Sequence, residues 1–168
     1  MRVFTETQRF NQVWLWIILL GVDGFMLHKL YPALLNASEL DESALISLIM
    51  APIVLVLVNV FIFIIRLDTK YDNDGITYRF WPVMLSYKTI KIEDIKSYEV
   101  KNINPLFTFG GWGYRRRIGK LLLNTRGKYG IEIQRNEGIT LTLGTQKPES
   151  VKEVMKYLME TKSNSING

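Results

Sequence analysis

Cysteine is absent and histidine occurs once, as His28. The first absence excludes disulfides, thiol nucleophiles and thiolate metal sites. The second leaves too few imidazoles for a standard zinc site or a histidine-based catalytic triad. From Arg66 onward there is no uncharged run long enough to cross a bilayer. The segment Pro32–Ser43, PALLNASELDES, has neither Lys nor Arg.

Charge and apolarity divide the chain. Residues 1–65 carry three basic and five acidic side chains, a net of −2, and residues 66–168 carry eighteen basic and eleven acidic ones, a net of +7, so the positive charge of the chain, +5 in all, belongs to the C-terminal part. Such an excess favours acidic partners without specifying a fold. Ala44–Ile65 is an uncharged run, ALISLIMAPIVLVLVNVFIFII, that would extend about 33 Å as a helix, enough to span a bilayer. A second span is expected over Phe10–Tyr31, with Trp14, Trp16 and Tyr31 at interface levels and Asp23 inside. The basic residues Arg2, Arg9, Arg66 and Lys70 flank the ends away from Pro32–Ser43, which predicts that both termini are cytoplasmic.

Beyond Arg66 the pattern changes to short alternating stretches between turn residues, as antiparallel strands require. Strands are predicted at 67–71, 76–80, 83–89, 95–101, 119–124, 130–134 and 139–143. Asp74-Gly75, Arg126-Gly127 and Glu137-Gly138 provide turns. A helix is predicted over Pro148–Glu160, with Val151, Val154, Met155, Leu158 and Met159 on its apolar face. The expected fold class is an α+β membrane protein. A transmembrane helical hairpin (1–65) is followed by a pleckstrin-homology-like, seven-stranded antiparallel barrel or sandwich with a C-terminal capping helix (66–162) and a disordered tail (163–168).

FTETQRF, the Trp14/Trp16 pair, the two spans, FGGWGYRRR and LGTQKPESV together resemble the bacterial membrane-anchored pleckstrin-homology-like proteins. Gly110-Gly111-Trp112-Gly113 and Gly144-Thr145-Gln146-Lys147-Pro148 are the most specific stretches. The resemblance implies a fold and a location at the bacterial inner membrane. It implies no reaction and carries over no catalytic residue.

Asp72-Asn73-Asp74-Gly75 is not a calcium loop: with Gly75 at the sixth loop position, the first and twelfth fall on Lys70 and Trp81, which offer no carboxylate. The sequence predicts a hairpin turn there. Trp112 is either a core anchor, its glycines permitting a bend, or the tip of a mobile binding loop. Arg115, Arg116, Arg117 and Lys120, with Tyr114 beside them, form either a solvated strand face or a surface for anionic headgroups. Asp23, His28 and Asn59 are polar at membrane depth, and Asp23 and Asn59 are expected at a helix interface, within the pair or between copies. The functional expectation is a non-enzymatic, membrane-tethered module that uses no cofactor or metal. Its expected partners are the bilayer and a protein or anionic lipid, with homo-oligomers an alternative and nucleic acid excluded. The rival is an accessory subunit of a transporter or membrane enzyme, contacting it through the helices.

Overall fold

The computed structural model describes residues 3–166, without the side chains of Glu39 and residues 163–166. The chain forms two compact units, one of residues 11–64 and one that joins the N-terminal segment through Phe10 to everything from Ile65 onward.

The helical unit consists of α1 (Val13–Leu35) and α2 (Glu42–Ile64), joined by a 3-10 turn at Ala37–Glu39. Both helices are long and apolar enough to cross a membrane. Asp41 starts α2, its carboxylate accepting the Ala44 N–H at 2.9 Å and so satisfying a donor that the first turn leaves open. Partial burial recurs every three or four residues, at Trp16, Leu19, Asp23, Met26, Leu30 and Ala33 on α1 and at Leu48, Pro52, Leu55, Asn59 and Ile62 on α2. That spacing is the seam of an antiparallel helix pair packed at a shallow angle. The seam includes an edge-to-face contact of Trp16 and Phe63 rings, 6.4 Å between centroids. No residue of either helix is fully buried, and Ile17, Phe25, Leu27, Val54, Leu57 and Phe61 stand among many exposed apolar side chains.

The second unit has nine strands among the described residues, arranged as two sheets. The first has the order β1 (Phe4–Arg9), β2 (Arg66–Asp72), β3 (Gly75–Trp81), β4 (Lys88–Ile90), antiparallel throughout. The second uses β5 (Ile95–Asn102), β6 (Gly113–Arg117), β7 (Lys120–Asn124), β8 (Tyr129–Arg135) and β9 (Thr140–Thr145) in the order β5-β8-β9-β7-β6. A short helix α3 (Pro105–Phe109) precedes β6, and α4 (Pro148–Ile166) ends the described chain. Alternation places Leu67 and Tyr71 of β2 and Ile76 and Phe80 of β3 in the core, against Ile131, Ile133, Leu143 and the Val151, Val154, Met155 and Leu158 face of α4.

Several expectations are corrected. The β unit is not a closed barrel, because its two sheets keep free edges, and the second sheet is mixed: β7 pairs with β9 in parallel. The Arg126-Gly127 segment therefore crosses to β8 instead of closing a hairpin, and β9 returns into the gap between β8 and β7. FTETQR, expected as part of the transmembrane hairpin (1–65), is β1. It pairs with β2 from Phe4↔Tyr71 to Arg9↔Arg66. GYRRR is a further strand, whereas the stretch expected as a strand at 83–89 begins with a turn closed by the Met84 N–H on the Phe80 carbonyl at 2.7 Å, leaving three residues in β4. The α4 helix runs past Glu160 to Ile166, through most of the expected disordered tail; Asn167 and Gly168 lie outside the described residues. The Asp72–Gly75 turn is as expected: the Asp72 carboxylate accepts the Asp74 and Gly75 N–H groups at 3.1 and 3.2 Å, and Gly75 has φ 139°.

Candidate functional site

The glycine-rich segment is built by the end of α3. Gly110, at φ 74°, closes that helix with its N–H on the Leu106 carbonyl at 3.1 Å, and Gly111 donates to the Pro105 carbonyl at 3.0 Å. The following turn half-buries Trp112, whose indole N–H donates to the Gly127 carbonyl at 2.9 Å. Trp112 is thus tied to the segment that crosses between β7 and β8. Leu106 and Phe107 of α3 remain exposed.

β6 is an edge strand, and its register with β7 divides the arginines. Tyr114 and Arg116 lie opposite Leu123 and Leu121, on the face of the main core, and Arg115 and Arg117 lie opposite Leu122 and Lys120, on the other face. Tyr114 packs its ring 6.4 Å from that of Phe80, and Arg115 donates to the Trp112 carbonyl at 3.2 Å. Three adjacent arginines therefore do not form one patch. Charge on a free strand edge opposes pairing with another chain. The hairpin tip gathers Arg117, a wholly exposed Ile118, Gly119 at φ 70° and Lys120, and it is tethered by the Thr140 N–H on the Gly119 carbonyl at 2.9 Å.

Between the helices, the Asn59 amide donates to the Asp23 carboxylate at 3.1 Å and to the Leu55 carbonyl at 3.0 Å. The two polar residues singled out for a helix interface meet within the pair. His28 is exposed and joins no such contact, so these side chains form no chain of proton-exchanging groups. Among the described residues no three His, Asp or Glu side chains gather to hold a metal ion.

A polar clasp, which the sequence reading missed, joins β1 to the far end of β9. The Glu6 carboxylate accepts the Gln146 N–H and the Thr145 hydroxyl, both at 2.7 Å, and Gln8, 2% exposed, donates to the Gly144 carbonyl at 2.6 Å. Gln146 also donates to the Arg126 carbonyl at 2.9 Å, next to the Gly127 carbonyl held by Trp112. A Cβ at Gly144 would collide with the Asn124 side chain, which explains the glycine. FTETQRF, GGWG and LGTQKP, far apart in sequence, thus meet in one network. Beside it, burial pushes the Tyr71 phenol above its ordinary pKa, and the charge of Glu6 adds to the effect. Both Glu6 oxygens accept hydrogen bonds, so the clasp is a brace without an idle acid or base.

The outer face of the first sheet bears a groove of about 500 Å3 lined by Thr5, Thr7, Asp68, Lys70, Thr77 and Tyr87. Its charges are satisfied. Asp68 holds Arg66 at 3.2 Å and Arg79 at 2.9 Å and accepts the Thr7 hydroxyl at 2.9 Å. Lys70 lies 2.7 Å from Asp72, whose hydrogen bond and charge raise the ammonium pKa. Arg79 lies 4.1 Å from the centre of the Tyr87 ring. No protein-family model matches the chain, and neither curated proteins nor solved structures provide a match.

Proposed function

We propose that this chain is a non-enzymatic, membrane-tethered module: α1 and α2 span the bacterial inner membrane as a hairpin, and the β unit works at the cytoplasmic face, binding a protein or anionic lipid. The observation that carries the reading is the helix pair. Outside one narrow seam its surface is apolar apart from His28 and Lys29 in the later part of α1 and the serines at the start of α2, and its polar seam residues Asp23 and Asn59 bond to each other, as a pair that faces lipid requires. Water would make that apolar surface unfavourable at roughly 25 cal/mol per Å².

Strand register supports an even number of crossings. Arg9 and Arg66 lie opposite each other in β1 and β2, so the chain leaves the β unit and returns to it at one place. The segment between the helices, without basic residues, then lies across the membrane. Two sheets with a C-terminal helix over their core are compatible with the pleckstrin-homology-like reading, with open edges in place of barrel closure. The bond between Asp23 and Asn59 within the pair supports this reading over the accessory-subunit alternative, in which the helices contact a transporter or membrane enzyme.

The test is cysteine accessibility in sealed vesicles of known orientation, in a chain with no native thiol. S38C should react only from the periplasmic side and N73C only from the cytoplasmic side. Reaction of both from one side, or release of the protein by carbonate, overturns the proposal.

A further inference from the structure

The loop between β3 and β4, Pro82–Tyr87, is held at Met84 and at Tyr87 and carries two exposed aliphatic side chains. Met84 packs on the core, with its N–H on the Phe80 carbonyl. Tyr87 stacks on Arg79, itself held by Asp68. On either side of Met84, Val83 and Leu85 stay in solvent, Leu85 at 74% exposure. Ordered backbone that holds two aliphatic side chains away from its own core presents a surface for something else.

The place of this loop identifies the occupant. β3 ends at Trp81, which lies opposite Arg66, and Arg66 lies opposite Arg9. Arg9, Arg66 and Trp81 thus form one row across the first sheet, at the end from which both apolar helices continue in sequence. Covalent reach bounds the distance: Arg66 follows Ile64 by two residues, about 7 Å at most, and Trp81 is one strand spacing, about 5 Å, further. The zone between hydrocarbon and water is about 5–10 Å deep on each face. Arginine and tryptophan suit that zone, the first for anionic headgroups and the second for its amphipathic ring.

We infer that the β3–β4 loop is a third membrane contact of this protein, with Val83 and Leu85 inserted at the headgroup–acyl boundary of the leaflet where α1 begins and α2 ends, and Trp81, Arg66 and Arg9 beside them at headgroup level. The inference rests on the reading of α1 and α2 as membrane spans. The loop would fix the sheet against the bilayer at a point separate from the helices, limiting rotation of the β unit on its two short connections.

The experiment uses the full chain in proteoliposomes of phosphatidylglycerol and phosphatidylethanolamine, with single cysteines L85C, V54C and N73C carrying an environment-sensitive fluorophore. The lipids carry bromine near the headgroup or near the chain end. V54C, in the middle of α2, reports whether the helices insert. N73C, in the β2–β3 turn at the opposite end of the same two strands, reports water. L85C should show blue-shifted emission and lose intensity mainly to the shallow bromines, V54C mainly to the deep ones, and N73C to neither. If V54C is quenched while L85C stays red-shifted and unquenched, the loop inference is wrong and the membrane reading stands. Absence of quenching at V54C would overturn both. If L85C is unquenched in proteoliposomes yet shielded from thiol reagents in native membranes, a protein covers the loop, which also overturns the inference.

Discussion

Removing β1 while keeping every residue of the C-terminal part should unfold the β unit. In sequence, residues 66–168 look self-sufficient and are expected to be soluble and folded alone. In the structure, β2 sits between β1 and β3, and the end of β9 is bonded to Glu6 and Gln8. A fragment starting at Ile65 loses two hydrogen bonds to a buried carboxylate, about 1.5–3 kcal/mol each, and a buried amide bond of about 1 kcal/mol. It also exposes the β2 edge. The loss, on the order of 5 kcal/mol before the lost β1–β2 pairing is counted, matches the whole stability of a domain at the low end of the usual range of about 5–15 kcal/mol. Replacing residues 11–64 by a short Asn-Gly turn, which Arg9↔Arg66 pairing allows, keeps β1 and the clasp. Urea denaturation followed by Trp81 and Trp112 emission compares the two. The turn-linked variant should unfold cooperatively, and the fragment should show no folded baseline or aggregate. Equal midpoints would refute the role assigned to β1.

Trp112→Phe keeps an aromatic ring, though a smaller one, and loses the bond to the Gly127 carbonyl, so it should cost at least about 1 kcal/mol in the turn-linked variant, and Trp112→Ala should cost more, both read from urea midpoints. Replacing Arg117 and Lys120 with Gln should weaken binding of that variant to anionic vesicles and flatten its salt dependence more than replacing Arg115 and Arg116, because only the first pair shares the exposed tip with Ile118; equal effects would contradict the distinction between tip and strand. Since the Tyr71 pKa is raised on folding, its contribution is intact below about pH 10, where the unfolded phenol ionises, and is lost as pH rises further. Alkaline melting curves should therefore fall more steeply for the native sequence than for Tyr71→Phe.

Elements rich in aliphatic side chains were legible in sequence: α2 as one uncharged run, and β2, β3, β8, β9 and α4 through an apolar period matching their geometry. β1 was not, because its inward face is Glu6 and Gln8. A strand that buries polar side chains against backbone groups has no apolar alternation to reveal it. The 83–89 segment failed in the opposite direction, since Val83, Leu85 and Tyr87 alternate as a half-buried strand would but stay exposed. The order β8-β9-β7 was hidden because every strand there has an equally apolar pattern, and periodicity does not name neighbours. The arginine run was visible, but its partition between two faces needed the register with β7.

These failures share a cause that bears on function. Periodicity assumes that a side chain is inside because it is apolar and outside because it is polar, and both departures occur in the first sheet. Glu6 and Gln8 are inside because the end of β9 offers donors and an acceptor at 2.6–2.7 Å, which offsets their desolvation. Val83 and Leu85 are outside although Met84 between them reaches the core. The first departure is resolved within the protein and therefore braces it. The second is not, and an unresolved apolar surface beside the strand ends that connect in sequence to the helices calls for an apolar neighbour from outside the chain. If the bilayer is that neighbour, Leu85→Ser should leave the urea midpoint of the turn-linked variant within about 0.5 kcal/mol of its parent, as for a surface site. In proteoliposomes the same substitution should increase rotational freedom of a spin label at N73C. A large loss of stability would place Leu85 in the fold's own packing and remove the argument.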